Sequence, residues 1–332
     1  MDIKDLIDFL EIESISGDEE DASIWIYKYL KKHNWDAKLI EIEEGRYNVT
    51  CNLNSKILFC SHVDVVPPYF PPIEEDTIIS GRGSSDAKGV VLAQIWAANK
   101  IVEEGILQRN EIGYAYLSGE ELDHLGAKKL GEMDFTCDVS IVGEPTENKL
   151  CEFGFGLLKL EITAEGKAGH SAFPDSGHSA NHDLIGLLAA LGEVCGKKEG
   201  IGSTIYNIGI ISGGVAANVF APKSVATVLF RLVEPSDDVL RKLDQLLEAY
   251  PRITYKVLSR FEPITLTTIE GFPKTVARFN SDAKYLFGRS KKLMLFGPGD
   301  IRVAHGPKEF ISKDSIEEGI QRYVDVVKSL TK

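Results

Sequence analysis

The 332-residue chain predicts an α/β fold carrying an inserted ferredoxin-like unit. Two observations carry that expectation. Apolar residues switch between helical and strand spacing through the first half of the chain, and the order then changes to βαββαβ before the earlier pattern returns. Residues three and four apart predict helices over 2–11, 20–33 and 87–104. Alternating or solid β-rich runs predict strands over 37–42, 47–53, 56–62, 111–118 and 137–142. The inserted unit reads as strand 157–165, helix 179–195, strands 204–212 and 222–233, helix 236–249 and strand 252–258. A helix at 272–286, a strand at 291–296 and a closing helix at 314–330 follow, the last one capped by Asp314 or Ser312. The expected domains are residues 1–156 with 260–332, and the insertion 157–259.

Composition excludes several classes of function. With 43% hydrophobic and 26% charged residues, the chain has the balance of an ordinary globular protein, and no window approaches the ~18 apolar residues of a membrane span. The first residues, "MDIKDLIDFLEIESISGDEEDA", are acidic where a signal peptide starts basic, so a cytoplasmic location is expected. Five cysteines, an odd number with no Cys-x-x-Cys pair, suggest neither a disulfide framework nor a thiolate zinc site. A net charge of -13 argues against nucleic-acid and membrane partners. "GFG" and "GPG" do not complete a dinucleotide fingerprint.

The polar residues that stand out follow predicted strands. In "FCSHVDVVP", His62 and Asp64 share one face at the carboxyl end of a buried strand, where open α/β sheets build their sites. A metal-binding imidazole usually donates its second N–H to a carboxylate or carbonyl, and Asp64 is placed to receive it. "GRGSSDAKG" carries Asp86 into a helix start, "SGEELD" pairs Glu120 with Glu121, "VGEPT" presents Glu144, and "FGPGDIRVAHGP" holds His305 in a loop. Each has an ordinary explanation alone: a helix cap, an acidic turn or a surface loop. Together they place two histidines and several carboxylates at strand ends of one domain.

Two hydrolytic metal ions need such a set, with one carboxylate shared between them. Asp86 can bridge, His62 with Glu144 can complete one site, and His305 with Glu121 the other. Two divalent ions against these three carboxylates leave one positive charge, which a hydroxide neutralises. Glu120, unligated beside Glu121, suits a base that takes a proton from water and passes it to the leaving nitrogen. A silent metal-binding scaffold would be expected to lack that base.

"SHVDVVP", "GRGSSDAKG", "SGEE", "GEPT" and a late loop histidine, in this order around a βαββαβ insertion, resemble the co-catalytic metallohydrolases. That family includes acetylornithine deacetylase, succinyl-diaminopimelate desuccinylase, glutamate carboxypeptidase and aminoacylase. The resemblance implies a zinc-peptidase-like α/β/α catalytic domain with a lid or dimerisation insertion, and a homodimer. It implies two divalent ions per subunit, usually zinc, sometimes cobalt or manganese, that serve amide or peptide hydrolysis. It also implies a cis Asp86–Ala87 peptide, and an oxyanion-stabilising His170 in "GKAGHSAFP", often supplied by the partner subunit. Asn218 in "GGVAANVFAP" and Arg231 in "VLFRLVEP" match positions that hold a substrate carboxylate, a role that suits a guanidinium.

Within that family, "GPGDIRVAHGPKEFIS" and the compact length look like the lysine-pathway branch. Its members release lysine or ornithine from the C-terminal γ-glutamyl group of the small acidic carrier protein LysW. "NSDAKYL" departs from the branch's usual Thr-Ser-Asp segment, which leaves the roles of Ser281 and Asp282 open. A small N-acylated amino acid, such as acetylornithine or succinyl-diaminopimelate, or a dipeptide is the alternative substrate.

Overall fold

The computed structural model describes residues 1–331. The chain divides into two compact units. One comprises Met1–Glu152, Leu266–Thr275 and the chain from Ser281 onward; the other comprises Phe153–Thr265 and Val276–Asn280. The sequence reading set the divisions a few residues away, at 157 and 259.

The first unit is built on a six-stranded sheet in the order Lys38–Glu43, Arg46–Cys51, Ile112–Leu117, Ile57–His62, Cys137–Val142, Ser290–Leu295. The first three strands pair antiparallel, and the last four run parallel to one another. Parallel strands buried on both faces read as continuous apolar runs. All six residues of Ile57–His62 and all six of Ile112–Leu117 are accordingly buried. Helices Ile3–Leu10, Glu20–Lys32, Lys88–Glu103 and Lys313–Thr331 join the sheet in one hydrophobic core. Lys88–Glu103 is apolar almost all round because it packs against strand Ile57–His62 as well as against helices Ile3–Leu10 and Lys313–Thr331. Ser312 caps the last helix, its hydroxyl accepting the Ser315 N–H at 3.0 Å. No helix among the described residues is long and apolar enough to cross a membrane.

The second unit holds a four-stranded antiparallel sheet in the order Ile205–Gly213, Lys223–Leu232, Gly156–Glu165, Ile253–Phe261. Helices Ala180–Ala190 and Ser236–Leu247 cover one face. This is the ferredoxin-like arrangement, with the second strand in chain order at one edge and the fourth at the other.

Two local expectations differ from the structure. Residues 272–286 form strand Lys274–Ala277 and a short helix Ala283–Leu286 rather than one helix. The β-branched Thr275 and Val276 lie in a strand paired with Leu150–Gly154, and Val276 packs on Phe153 and Phe155, so tertiary pairing overrides the helical spacing. Helix Leu125–Glu132 was not expected, because glycines at 126 and 131 weaken its pattern. Gly126 is required there: a Cβ would lie 2.4 Å from Asn48 Oδ1 and 2.6 Å from the Ser118 carbonyl oxygen.

Candidate metal centre

Four parallel strands end at one edge of the sheet, and the chain leaving each carries a piece of the cluster. His62 closes strand Ile57–His62, Glu120 and Glu121 follow Leu117, Glu144 follows Val142, and His305 lies in the loop after Leu295. Asp86 comes from the loop that starts helix Lys88–Glu103, across a cis Asp86–Ala87 peptide.

The two oxygens of Asp86 face different histidines. Oδ1 is 3.1 Å from His62 Nε2, and Oδ2 is 3.4 Å from His305 Nε2. His305 Nε2 also lies 2.8 Å from Glu121 Oε1. The ligating atoms of His62, Asp86 and Glu144 lie within 4.8 Å of one another, as do those of Asp86, Glu121 and His305. The structure therefore brings together the two trios the sequence reading had formed, with Asp86 common to both. Glu120 lies within the same distance of His62 and Glu121, and, in a second group, of His124 and Asp282.

Asp64 differs in detail from expectation. The nearest acceptor to His62 Nδ1 is the Asp64 backbone carbonyl at 3.0 Å, with the carboxylate at 3.5 Å. That carboxylate accepts the backbone N–H groups of Glu120 and Glu121 at 3.0 and 3.1 Å and the Ser16 hydroxyl at 2.7 Å. Asp64 thus orients the imidazole chiefly through its main chain and fastens the Glu120–Glu121 turn with its side chain.

Sequence reasoning missed the anchor of the Asp86 loop. Glu309, fully buried, accepts the N–H groups of Gly83, Ser85 and Asp86 on one oxygen, each at 3.0 Å, and the Arg82 guanidinium on the other at 2.6 Å. Three converging amides and a guanidinium form an anion cradle. Gly83 is needed in it, with φ at +87° and Val65 Cγ1 only 2.8 Å from where a Cβ would stand. Glu309 falls four residues after His305, but nothing in "HGPKEF" distinguishes a buried glutamate from a solvated one.

Burial is the main electrostatic fact of the cluster. It pushes the Glu120 and Glu144 carboxyls well above the usual range, and neighbouring carboxylates add to the rise. Glu121 is raised by burial and by Asp86. Burial pushes Asp86 the same way, but hydrogen bonds from His305 and His62 outweigh it and hold its carboxyl low. Ionised together, these four carboxylates would outweigh the two imidazoles, and after burial that is what raises Glu120, Glu121 and Glu144. An oxygen and imidazole donor set of this kind fits divalent cations.

In the second unit, His170 and Asn218 are neighbours: the Ser171 N–H donates to the Asn218 carbonyl at 2.9 Å, and His170 bridges to Val219. Both side chains are exposed. Arg231 does not join them. It stands eight residues along its strand from Lys223, about 26 Å at ~3.3 Å per residue, on the face opposite the helices. Asn218 precedes Lys223, beyond the other end of that strand. His178 pairs with Asp183 at 2.6 Å, and His33 with the Tyr29 carbonyl at 2.8 Å.

The sequence profile of peptidase family M20/M25/M40 matches residues 58–329, a span that contains every residue of the two trios. The chain belongs to that family. It is 34% identical over 328 residues to a peptidase M20 domain-containing protein of Schizosaccharomyces pombe, covering 96% of this chain and 82% of the relative. It is 32% identical to a probable carboxypeptidase of Aspergillus terreus, covering 97% and 84%. Among solved structures, a tripeptidase from Staphylococcus aureus superposes with a TM-score of 0.82 at 19% identity, covering 99% and 97% of the two chains. An M20 family metallo-carboxypeptidase from Sulfolobus solfataricus gives 0.73 at 18% identity over the whole of both. M20 enzymes are metal-dependent hydrolases of amide and peptide bonds that use divalent ions, typically zinc. In this M20 chain the His62, Asp86, Glu121, Glu144 and His305 cluster offers the donors for them.

Proposed function

We propose that this M20 hydrolase cleaves a linear amide bond beside a free carboxylate, with Glu120 as general base. The observation that carries the reading is Asp86 turning one oxygen to His62 and the other to His305. In this reading His62, Glu144 and Asp86 would hold one ion, and Glu121, His305 and Asp86 a second. Such ions supply Lewis acidity to the scissile carbonyl and lower the pKa of water. Glu120 takes the proton of the attacking water on its carboxylate and returns it to the departing nitrogen. Asp64 keeps Glu120 and Glu121 in register through their two N–H groups.

The substrate we propose is the γ-glutamyl C-terminus of a LysW-type carrier, from which lysine or ornithine is released. The stretch "GPGDIRVAHGPKEFIS" and the compact chain support it. The carrier is acidic and so is this chain, so docking requires a local basic surface. Peptides are the second reading, favoured by the carboxypeptidase name of the Aspergillus terreus relative; small N-acylated amino acids share the same chemistry.

We also propose a homodimer in the cytoplasm. Edge strand Ile205–Gly213 pairs on one side only and exposes Ile208, Ile210 and Ile211. The separation of Arg231 from His170 and Asn218 fits a site that draws on two copies, and the five unpaired cysteines fit a reducing compartment.

The test is product analysis by mass spectrometry. The zinc- or cobalt-loaded enzyme is given LysW carrying γ-linked lysine or ornithine, in parallel with free acetylornithine, succinyl-diaminopimelate and dipeptides. Release from the carrier alone supports the first substrate. Cleavage of a free molecule with the carrier untouched replaces it and keeps the chemistry, and no product in any arm overturns the hydrolase reading.

A further inference from the structure

We infer that His124, held by Asp282, is a positioning residue that fixes the Glu120 carboxylate. The inference rests on Glu120 as base. His124 stands four residues after Glu120, at the cap of helix Leu125–Glu132, where φ is +57°, in the left-handed region that non-glycine residues enter uncommonly. The N–H groups of Asp123 and His124 both donate to the Gly119 carbonyl, at 3.1 and 2.6 Å, and close the turn that carries Glu120. This backbone aims the imidazole back at the carboxylate. Nδ1 lies 2.8 Å from Asp282 Oδ1 and 3.6 Å from Glu120 Oε1. All three side chains are nearly buried. The bond to Asp282 assigns the proton to Nδ1 and directs this N–H at Asp282, which leaves the Glu120 carboxylate 3.6 Å from the same polarised nitrogen.

Asp282 comes from a segment 158 residues away and in turn is set by its own turn, where the Ala283 N–H donates to the Ser281 hydroxyl at 3.3 Å. The Tyr285 ring lies against the imidazole with centroids 5.6 Å apart. The result is a chain of carboxylate, imidazole and carboxylate in which a base is oriented by a second group that a third holds in place. A base acting on water gains from such restraint, because a displacement of ~1 Å from the productive geometry costs about 10²-fold in rate. The segment "NSDAKYL" thus enters the site through Asp282, from behind the base.

The alternative is that the pair only ties helix Leu125–Glu132 to the segment around Ala283. Two variants separate these readings. His124→Ala removes the donor, whereas His124→Asn keeps an N–H near the Nδ1 position and tolerates the left-handed backbone. We expect His124→Ala to lower kcat by about 10- to 100-fold with KM changed less than about twofold and metal content unchanged, and His124→Asn to recover most of the loss. The substrate is whichever arm of the mass-spectrometry assay gives product. In a Glu120→Gln background the His124→Ala change should add no more than about a twofold loss, since residues acting as a unit are not additive. A full multiplied loss, or wild-type kcat in His124→Ala while Glu120→Gln is inactive, overturns the inference alone. An active Glu120→Gln overturns the base reading instead. Independently of turnover, the His124 Nδ1–H proton resonance should move in Glu120→Gln; an unmoved resonance also overturns the inference.

Discussion

Replacing Glu309 by glutamine should loosen the candidate metal centre without touching a proposed ligand. The carboxylate now receives three amides at 3.0 Å and the Arg82 guanidinium at 2.6 Å, with both side chains 1% exposed. Glutamine keeps one accepting oxygen for the amides but turns an NH₂ toward a buried cation. Removing one partner of a buried ion pair costs about 3–5 kcal/mol; the retained amide bonds should bring the loss toward the lower end, about 3 kcal/mol. Against a total stability of about 5–15 kcal/mol, that is a large fraction. Glu309→Ala also orphans the three amides, at about 1–3 kcal/mol each, and should fail to fold stably. The assay is urea unfolding of the metal-free protein, followed by metal titration of the folded variant. We expect a lower midpoint with an unchanged slope, and weaker metal binding, because Asp86 is one of the three residues whose amide is anchored. An unchanged midpoint with full metal affinity would refute the view that Glu309 holds the Asp86 loop.

Other outcomes follow from the same geometry. Glu120→Ala should keep its metal yet lose about 10²–10⁴-fold in turnover, whereas His62→Ala should lose metal as well; elemental analysis beside kinetics checks both. Chelation of the wild type should lower its melting temperature, because ions that bind only the folded chain stabilise it by mass action. Lys88 is fully buried, its amine pushed down to about 7 by burial, and it donates to the Phe9 and Ile12 carbonyls. Lys88→Met should cost about 2–4 kcal/mol by leaving those carbonyls unpaired, read by urea denaturation. Ile210→Lys on the exposed edge strand should shift a dimer to monomer in sedimentation while leaving the melting temperature within a few degrees; an unshifted dimer would place the interface elsewhere.

The sequence by itself determined the βαββαβ insertion, the buried parallel strands and the residues that gather into the two candidate trios, because each rests on local pattern. A strand's period aims His62 and Asp64 to one face, and strand ends in an α/β sheet converge on one edge whatever joins them. Only the tertiary structure decided the rest. Glu309 and Asp282 act on the site across 223 and 158 residues of chain, and a buried glutamate has the same letter as a solvated one. Strand Lys274–Ala277 exists because Leu150–Gly154 lies beside it, which helical spacing at 272–286 could not report. The role of His124 depended on a left-handed cap turning its ring toward Glu120, and the separation of Arg231 from Asn218 on the length of the strand that divides them. Long-range contact, not composition, sets which polar side chains lose their water, as it does for Glu309 and Asp282.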